Sequence, residues 1–277
     1  MKYFLLILLF LTNLFSFDRV IALSPSINEI IYALDAKDKI VANTTYSTFP
    51  KDALKKQKVG GYFSPNLEKI ISLNPDLVIM QKNYAFSNKL HKLNIKTKVV
   101  NIDKLKNIKQ TIKDIGKLLN KQEKAKDIVK QINQALIDTK NIVKNKKILF
   151  VIGHNKTLIK RVFISGNDLY FDDIINISGN TNAYQSKVKS QPVLNYENII
   201  ALNADIVILL TPYIKQNHTS KAELLAPWKD LNINASKTDS IYFIDKLYAG
   251  IPSNRIIYFL QDFKNILLHY KNHVKTN

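Results

Sequence analysis

Cysteine is missing from all 277 residues, so the chain holds no disulfide framework, and a cysteine-borne lipid anchor behind a leader has nothing to form on. Beyond the first segment, no run reaches the ~20 apolar residues that a membrane-crossing helix requires. The common catalytic signatures are missing too. There is no G-x-S-x-G elbow, no Walker loop, no G-x-G-x-x-G opening a helix, and no His/carboxylate cluster at metal-ligand spacing. The rival class is then an exported two-lobed α/β enzyme acting across its cleft, which would carry titratable groups with opposed roles. Acidic residues are few beside basic ones, 22 against 41, for a formal net charge of +19. By itself that balance points to nucleic acid, anionic lipid or an acidic ligand. The lysines, however, are scattered through helical segments among Asn and Ile, with no aromatic-interleaved basic stripe, so no nucleic-acid partner is expected.

What is present is a folding sequence. Hydrophobic residues make up 46% and charged residues 23%, close to the globular average, and the length suits one large domain or two ordinary ones. The first segment sets the compartment. Lys2 forms a minimal positive start, Tyr3 to Leu11 is an apolar run too short to span a bilayer, and Thr12 to Ser16 turns polar. Residues 1–16 read as a cleaved signal peptide, with Leu14 at the −3 position, and Phe17-Asp18-Arg19 opens a strand-like run at once. The expectation is a free, soluble periplasmic protein.

The most informative feature is internal. Asn66 to Ile79 reads NLEKIISLNPDLVI and Asn195 to Ile208, 129 residues later, reads NYENIIALNADIVI, identical at nine of fourteen positions. Val20 to Leu34 and Val162 to Ile177 each pass from an apolar run through a polar turn into an i, i+3, i+4 apolar pattern, which predicts strand, loop and helix in both. Lys39 to Ala42 and Ile241 to Ile244 read as comparable further strands. A single repetition cannot stack into an array, so the chain is read as two similar α/β lobes and not as a solenoid. Between them, Ile108, Ile112, Ile115 and Leu119 share one helical face, and Ala125, Ile128, Ile132 and Leu136 resume the period after Asn120. Gln122 to Val143, free of Gly and Pro, would make a rod of about 33 Å. The predicted fold is therefore α/β: two Rossmann-like lobes joined by a long α-helix, with a ligand cleft between the lobes. Its boundaries are 17–105 for the first lobe, 106–146 for the connecting helices and 147–277 for the second lobe. Ile256 to Tyr270 closes the chain as an amphipathic helix.

In open α/β sheets ligands settle at the carboxyl ends of the strands. The loops predicted there carry Ser24-Pro25-Ser26, Tyr46, Tyr62-Phe63 and Tyr84 in the first lobe, and His154, Tyr213 and Tyr248 in the second. Five of eight such loops hold a Tyr, whose broad apolar face and polar tip suit a large flat ligand with polar edges.

The sequence resembles the periplasmic substrate-binding proteins of metal-chelate ABC importers, the group with a helical backbone between lobes that carries cobalamin, iron siderophores or haem. The resemblance lies in RVIALSPS (19–26) with Glu29, VGGY (59–62), NLEKI (66–70), LNPDLVI (73–79), ISG (164–166) with Asp172-Asp173-Ile174, SGNTN (178–182), Tyr196-Glu197 and ADIVI (204–208). It implies a monomeric carrier with no catalytic activity and no cofactor of its own, whose transported ligand contains cobalt or iron. It also implies an ABC permease dimer in the inner membrane as partner, met by one carboxylate on each lobe tip. Glu68 and Glu197 match those carboxylates, although a Glu one turn into an Asn-capped helix is favoured by the macrodipole with no partner at all.

For the ligand, the resemblance leaves three chemistries. Tyr62 matches both the axial tyrosine of haem carriers and the aromatic that packs on the corrin in cobalamin carriers. Siderophore carriers often gather several Arg, whereas this chain has only Arg19, Arg161 and Arg255. Of these, Arg255 matches the second-lobe position near the cleft, and Lys82 and Lys246 offer solvated point charges in support. Cobalamin ranks first, an iron or other metal chelate second and haem third. His154 reads as a loop residue bonded to backbone, His269 and His273 as neighbours on a frayed helix end, and Trp228 as core.

Overall fold

The computed structural model describes residues 17–153, 156–159, 161–186, 192–212, 214 and 218–275. The segment read as a signal peptide, His154 and Tyr213 lie outside the described residues. The first half runs β1 (Val20–Ala22), α1 (Pro25–Ala33), β2 (Ile40–Asn43), β3 (Gln57–Lys58), α2 (Leu67–Ser72), β4 (Leu77–Gln81), α3 (Tyr84–Lys92) and β5 (Thr97–Val100). Helices α4 (Leu105–Leu118) and α5 (Gln122–Ile137) follow. The second half runs β6 (Lys147–Ile152), β7 (Val162–Ile164), α6 (Tyr170–Ile177), β8 (Thr181–Asn182), β9 (Val193–Leu194), α7 (Tyr196–Leu202), β10 (Ile206–Leu210), α8 (Lys221–Lys229), α9 (Asn234–Lys237), β11 (Ile241–Ile244) and α10 (Ile256–Lys275).

Continuous apolar runs such as LVIMQ and IVILL are buried along nearly their whole length, as strands covered on both faces must be. They build two sheets. The first is wholly parallel in the order β3-β2-β1-β4-β5, and the second runs β11-β10-β6-β7-β9 with β8 beside β6.

The fourteen-residue repeat performs the same work twice. Asn66 and Asn195 cap α2 and α7, each accepting a backbone N–H at 2.9 Å, a contact worth about 1 kcal/mol. Asn74 and Asn203 adopt φ of 43° and 45°, a left-handed conformation that Asn tolerates and that ends the helical segment. Asp76 then accepts the N–H groups of Asp18 and Arg19 at 2.7 and 3.1 Å, and Asp205 accepts that of Lys147 at 2.8 Å. Each Asp thus ties β4 or β10 to the start of the strand beside it, β1 or β6.

That pairing corrects the correspondence read from the pattern. Val20–Leu34 and Val162–Ile177 are not counterparts, because β7 runs antiparallel to β6, whereas β1 is parallel to both its neighbours. The counterpart of β1 is β6, and Ile241–Ile244 lies beside β10 as β5 lies beside β4. Strand–turn–helix periodicity carries no strand direction, so pattern matching alone could not separate these cases.

The connector is a helical hairpin. Gly116 lets α4 and α5 approach closely, since a Cβ there would stand 2.5 Å from that of Ala125. Helix α5 stops at Ile137, about 24 Å long and short of the Val143 expected from its period. The Thr139 hydroxyl donates back to Leu136, and the N–H groups of Asn141 and Asn145 go to Ser178 and Gly179. Tertiary hydrogen bonds therefore unwind the last turns. Helix α4 packs on α1 of the first half and α6 of the second, and its first N–H, on Leu105, donates to Asp173 at 2.7 Å.

The inner faces of both sheets share one apolar core with α1, α4, α5, α6 and α10. At its second-lobe end, Phe150 sits 5.1 to 5.8 Å from the rings of Phe171, Phe259 and Phe263. The outer face of each sheet has a separate cluster, and Trp228 is buried in that of the second, as the sequence predicts.

A buried ion pair spans the lobes. Glu29 on α1 meets the guanidinium of Arg255, which precedes α10, through Nε at 3.0 Å and through Nη2, with side chains 2% and 6% exposed. Ser253 also donates to Glu29 at 2.5 Å, and Phe49 stacks on Arg255 at 3.9 Å. Removing one partner strands the other charge in a dry site. Glu29→Gln is therefore expected to cost about 3–5 kcal/mol in urea unfolding, and the Glu29→Met/Arg255→Met double variant much less. Equal losses in the single and double variants would overturn the stranded-charge account.

Candidate functional site

The carboxyl ends of the two sheets face one another across a cavity of about 690 Å³. On the first-lobe side, Ser24, Pro25 and Ser26 bring the N-terminus of α1 to the wall. The Ser24 hydroxyl accepts the N–H of Ile27 at 3.2 Å, and Pro25 supplies the preset φ of a first helical turn. Tyr62 and Phe63 stand on a loop pinched by a bridge between Gly60 and Pro65. Gly60 has φ of 92°, and a Cβ there would meet the Ser64 carbonyl at 3.0 Å, so the pinch requires glycine. Phe63 is 88% exposed and meets Tyr62 edge-on at 4.5 Å, with Tyr46 against the same loop. These rings form an aromatic rim.

The second-lobe wall comes from Leu169, Tyr170 and Phe171 at the start of α6, from Ile152 and Leu210 at strand ends, and from Gly250 to Pro252. Tyr170 is buried with its hydroxyl on the Ala249 carbonyl at 3.4 Å, and burial raises its phenol far above the ordinary value. Gln81, the last residue of β4, and Asp103, past the end of β5, make the polar side, with the apolar Ile102 beside Asp103.

Six of the residues singled out from sequence thus line the cavity together: Ser24, Pro25, Ser26, Tyr46, Tyr62 and Phe63. Three others do not. Tyr84 begins α3 just after its cap Asn83, is 65% exposed and lies off the cavity. Tyr248 donates to Asp262 at 2.6 Å beneath the wall, and Arg255 is consumed by Glu29. A strand-end position in sequence does not reveal a partner 226 residues away. Of the two supporting lysines, Lys82 pairs with Asp103 at 3.4 Å and Lys246 with Asp245 at 3.6 Å. Sequence reasoning missed Asp103 and the Leu169–Phe171 step. The usable signal for Asp103 was its place just past an apolar strand.

Glu68 and Glu197 are exposed at equivalent positions one residue into α2 and α7. Every other polar identity in the repeat has the structural duty described above. Neither Glu forms an ion pair among the described residues. The rings of His269 and His273 stack at 5.8 Å, and among the described residues no group of three or more His, Cys, Asp or Glu is placed to hold a metal ion.

Tyr62 donates to Gln81 Oε1 at 3.3 Å, and burial, followed by the charge of Asp103, raises its phenol above the ordinary value. Its proton therefore stays on through neutral pH and leaves later than that of an exposed tyrosine. Difference absorbance near the phenolate band, wild type against Tyr62→Phe, is expected to show the Tyr62 midpoint above the ordinary tyrosine value. A midpoint at or below that value would remove this account of the loop.

Comparisons with known proteins agree with this geometry. A family profile described as periplasmic binding protein matches residues 20–248. A relative named an uncharacterized ABC transporter substrate-binding lipoprotein, from Bacillus subtilis, is 28% identical over 235 residues, 82% of this chain and 72% of that protein. A vitamin B12-binding protein of Vibrio vulnificus is 48% identical over 62 residues, which is 22% of this chain and 23% of that protein. In three dimensions the chain is similar to the periplasmic vitamin B12 binding protein of Vibrio cholerae, with a TM-score of 0.77 and 18% identity over 92% of this chain and 98% of that one. It is also similar to a periplasmic heme-binding protein of a Roseiflexus species, with a TM-score of 0.74 and 18% identity over 92% and 99%. At those identities the likeness shows the two-lobed fold alone. With the profile covering most of its length, the chain belongs to the periplasmic binding protein family, as a substrate-binding protein of the ABC importer type.

Proposed function

We propose that this protein captures a metal chelate, cobalamin first among the candidates, in the cleft between its lobes and delivers it to an ABC permease. The observation that carries the reading is the cavity itself: about 690 Å³, walled by apolar side chains from both lobes and rimmed by Tyr46, Tyr62 and Phe63. Such a box suits a large ligand with flat apolar faces. The short stretch of high identity to a vitamin B12-binding protein favours cobalamin within that class. The chelate brings the cobalt or iron, and the protein needs no cofactor of its own. An iron-siderophore ligand is the nearest alternative. Haem would call on Tyr62 as an axial phenolate, which would give up the bond its hydroxyl makes to Gln81.

The reading has no catalytic step. The cleft wall brings together mainly apolar groups, hydroxyls and one carboxylate, where an enzyme of the rival class would place opposed acids and bases. We place the working protein in the periplasm, exported by residues 1–16 and monomeric. The Bacillus relative is a lipoprotein by name, but none of these 277 residues is a cysteine that could carry a lipid.

Glu68 and Glu197 would dock the two lobe tips to cationic side chains of the permease, each through a charge-assisted hydrogen bond. Purified protein titrated with cyanocobalamin, haemin and a panel of ferric chelates is expected to bind cyanocobalamin most tightly, read by absorbance shifts and Tyr and Trp quenching. No binding to any of them would overturn the carrier reading. Charge reversal, Glu68→Lys with Glu197→Lys, is expected to cut uptake at least about tenfold while leaving chelate affinity within about twofold. Loss of affinity with uptake intact would remove the docking role.

A further inference from the structure

We infer that Gln81 and Asp103 form a carboxamide-reading pair on the polar side of the cleft, selecting a chelate decorated with uncharged primary amides over one bearing carboxylates. This rests on the carrier reading and narrows its ligand class. Gln81 ends β4 and pairs in register with Val100, the last residue of the adjacent parallel strand β5; Asp103 follows just past β5, and both line the cavity with Tyr62.

The hydrogen bonds around them fix what each has left to offer. The Tyr62 hydroxyl donates to Gln81 Oε1, which orients the side-chain amide, and the Nε2 group has no partner among the described residues. Asn101 Oδ1 accepts the backbone N–H of Asp103 at 3.0 Å and shapes its turn. Oδ2 of Asp103 pairs with Lys82 at 3.4 Å, whereas Oδ1 has no partner among the described residues. An open N–H donor and an open carboxylate acceptor on one side of an apolar cavity complement a primary carboxamide, whose oxygen accepts while its N–H donates. A ligand carboxylate placed there would face the like charge of Asp103. Lys82 offsets that only weakly, because the pair is about half exposed and screened. Discrimination then comes from rejecting the wrong group as well as from holding the right one. The Tyr62 phenol, pushed up by burial and by Asp103, serves as the donor that orients Gln81.

The test uses cyanocobalamin and its three monocarboxylic acids, each with one peripheral propionamide hydrolysed, titrated into the full protein. The wild type is expected to prefer cyanocobalamin over at least one monocarboxylate by about tenfold. Asp103→Ala should erase that preference. Asp103→Asn should keep cyanocobalamin affinity within about threefold while raising that of the disfavoured monocarboxylate, and Lys82→Met should leave the ranking as it is. An unchanged ratio in Asp103→Ala would overturn the pair while leaving the carrier reading standing. So would a wild type that binds all four corrinoids alike, or one that binds haemin and no corrinoid. Failure to bind any chelate would overturn the carrier reading, and the pair with it.

Discussion

A charged bond between Glu29 and Arg255 joins the two lobes inside the apolar seam. A carboxylate and a guanidinium in so dry a setting hold each other in one geometry, since either alone would be strongly disfavoured there. Phe49 lies over the guanidinium and Ser253 supplies a further donor, so the pair is enclosed by both halves of the chain. Around it the inner faces of the two sheets and five helices share a single core. Domains that meet through such a core do not swing freely, because opening would expose its apolar surface to water. Such a core favours a fixed spacing of the cleft walls.

Duplication explains how so large a groove is assembled from modest means. Each copy of the fourteen-residue unit caps a helix, ends it in a left-handed Asn and clamps two strands with an Asp. These local devices hold the strand ends where loops can converge. Glu68 and Glu197 are the polar identities left over, and recurrence without an ion-pair partner among the described residues is what sets them apart from ordinary first-turn carboxylates. Under the proposed docking role, their placement on α2 and α7 keeps permease contact apart from ligand contact. One surface can then change without disturbing the other.

Within the cleft the division of labour is chemical. Tyr46, Tyr62 and Phe63 give broad apolar contact at low conformational cost, and the Leu169–Phe171 step closes the opposite wall. Under the proposed carboxamide reading, Gln81 and Asp103 add direction to a wall that is otherwise mainly apolar. Tyr62 serves both roles, ring to the cavity and hydroxyl to Gln81. An orientation set by hydrogen bonds within the protein need not be fixed again when ligand arrives.

Much of this was legible along the chain, because its causes are local. The internal repeat, the alternation of strand and helix, the aromatic loops at strand ends and the burial of Trp228 all follow from nearest-neighbour chemistry and apolar period. Strand direction was not legible, since an apolar run such as β7 carries no direction and only its pairing with β6 makes it antiparallel. The last turns of α5 were lost to hydrogen bonds from Asn141 and Asn145, which no helical period records. Arg255 read as a cleft residue and turned out to be the partner of a glutamate 226 positions earlier. The sequence by itself determined which elements form and which residue types cluster at their ends, because those depend on neighbours a few positions away. Only the tertiary structure decided which of those residues face the ligand, because a side chain's final partner is chosen by what the fold brings within hydrogen-bonding reach.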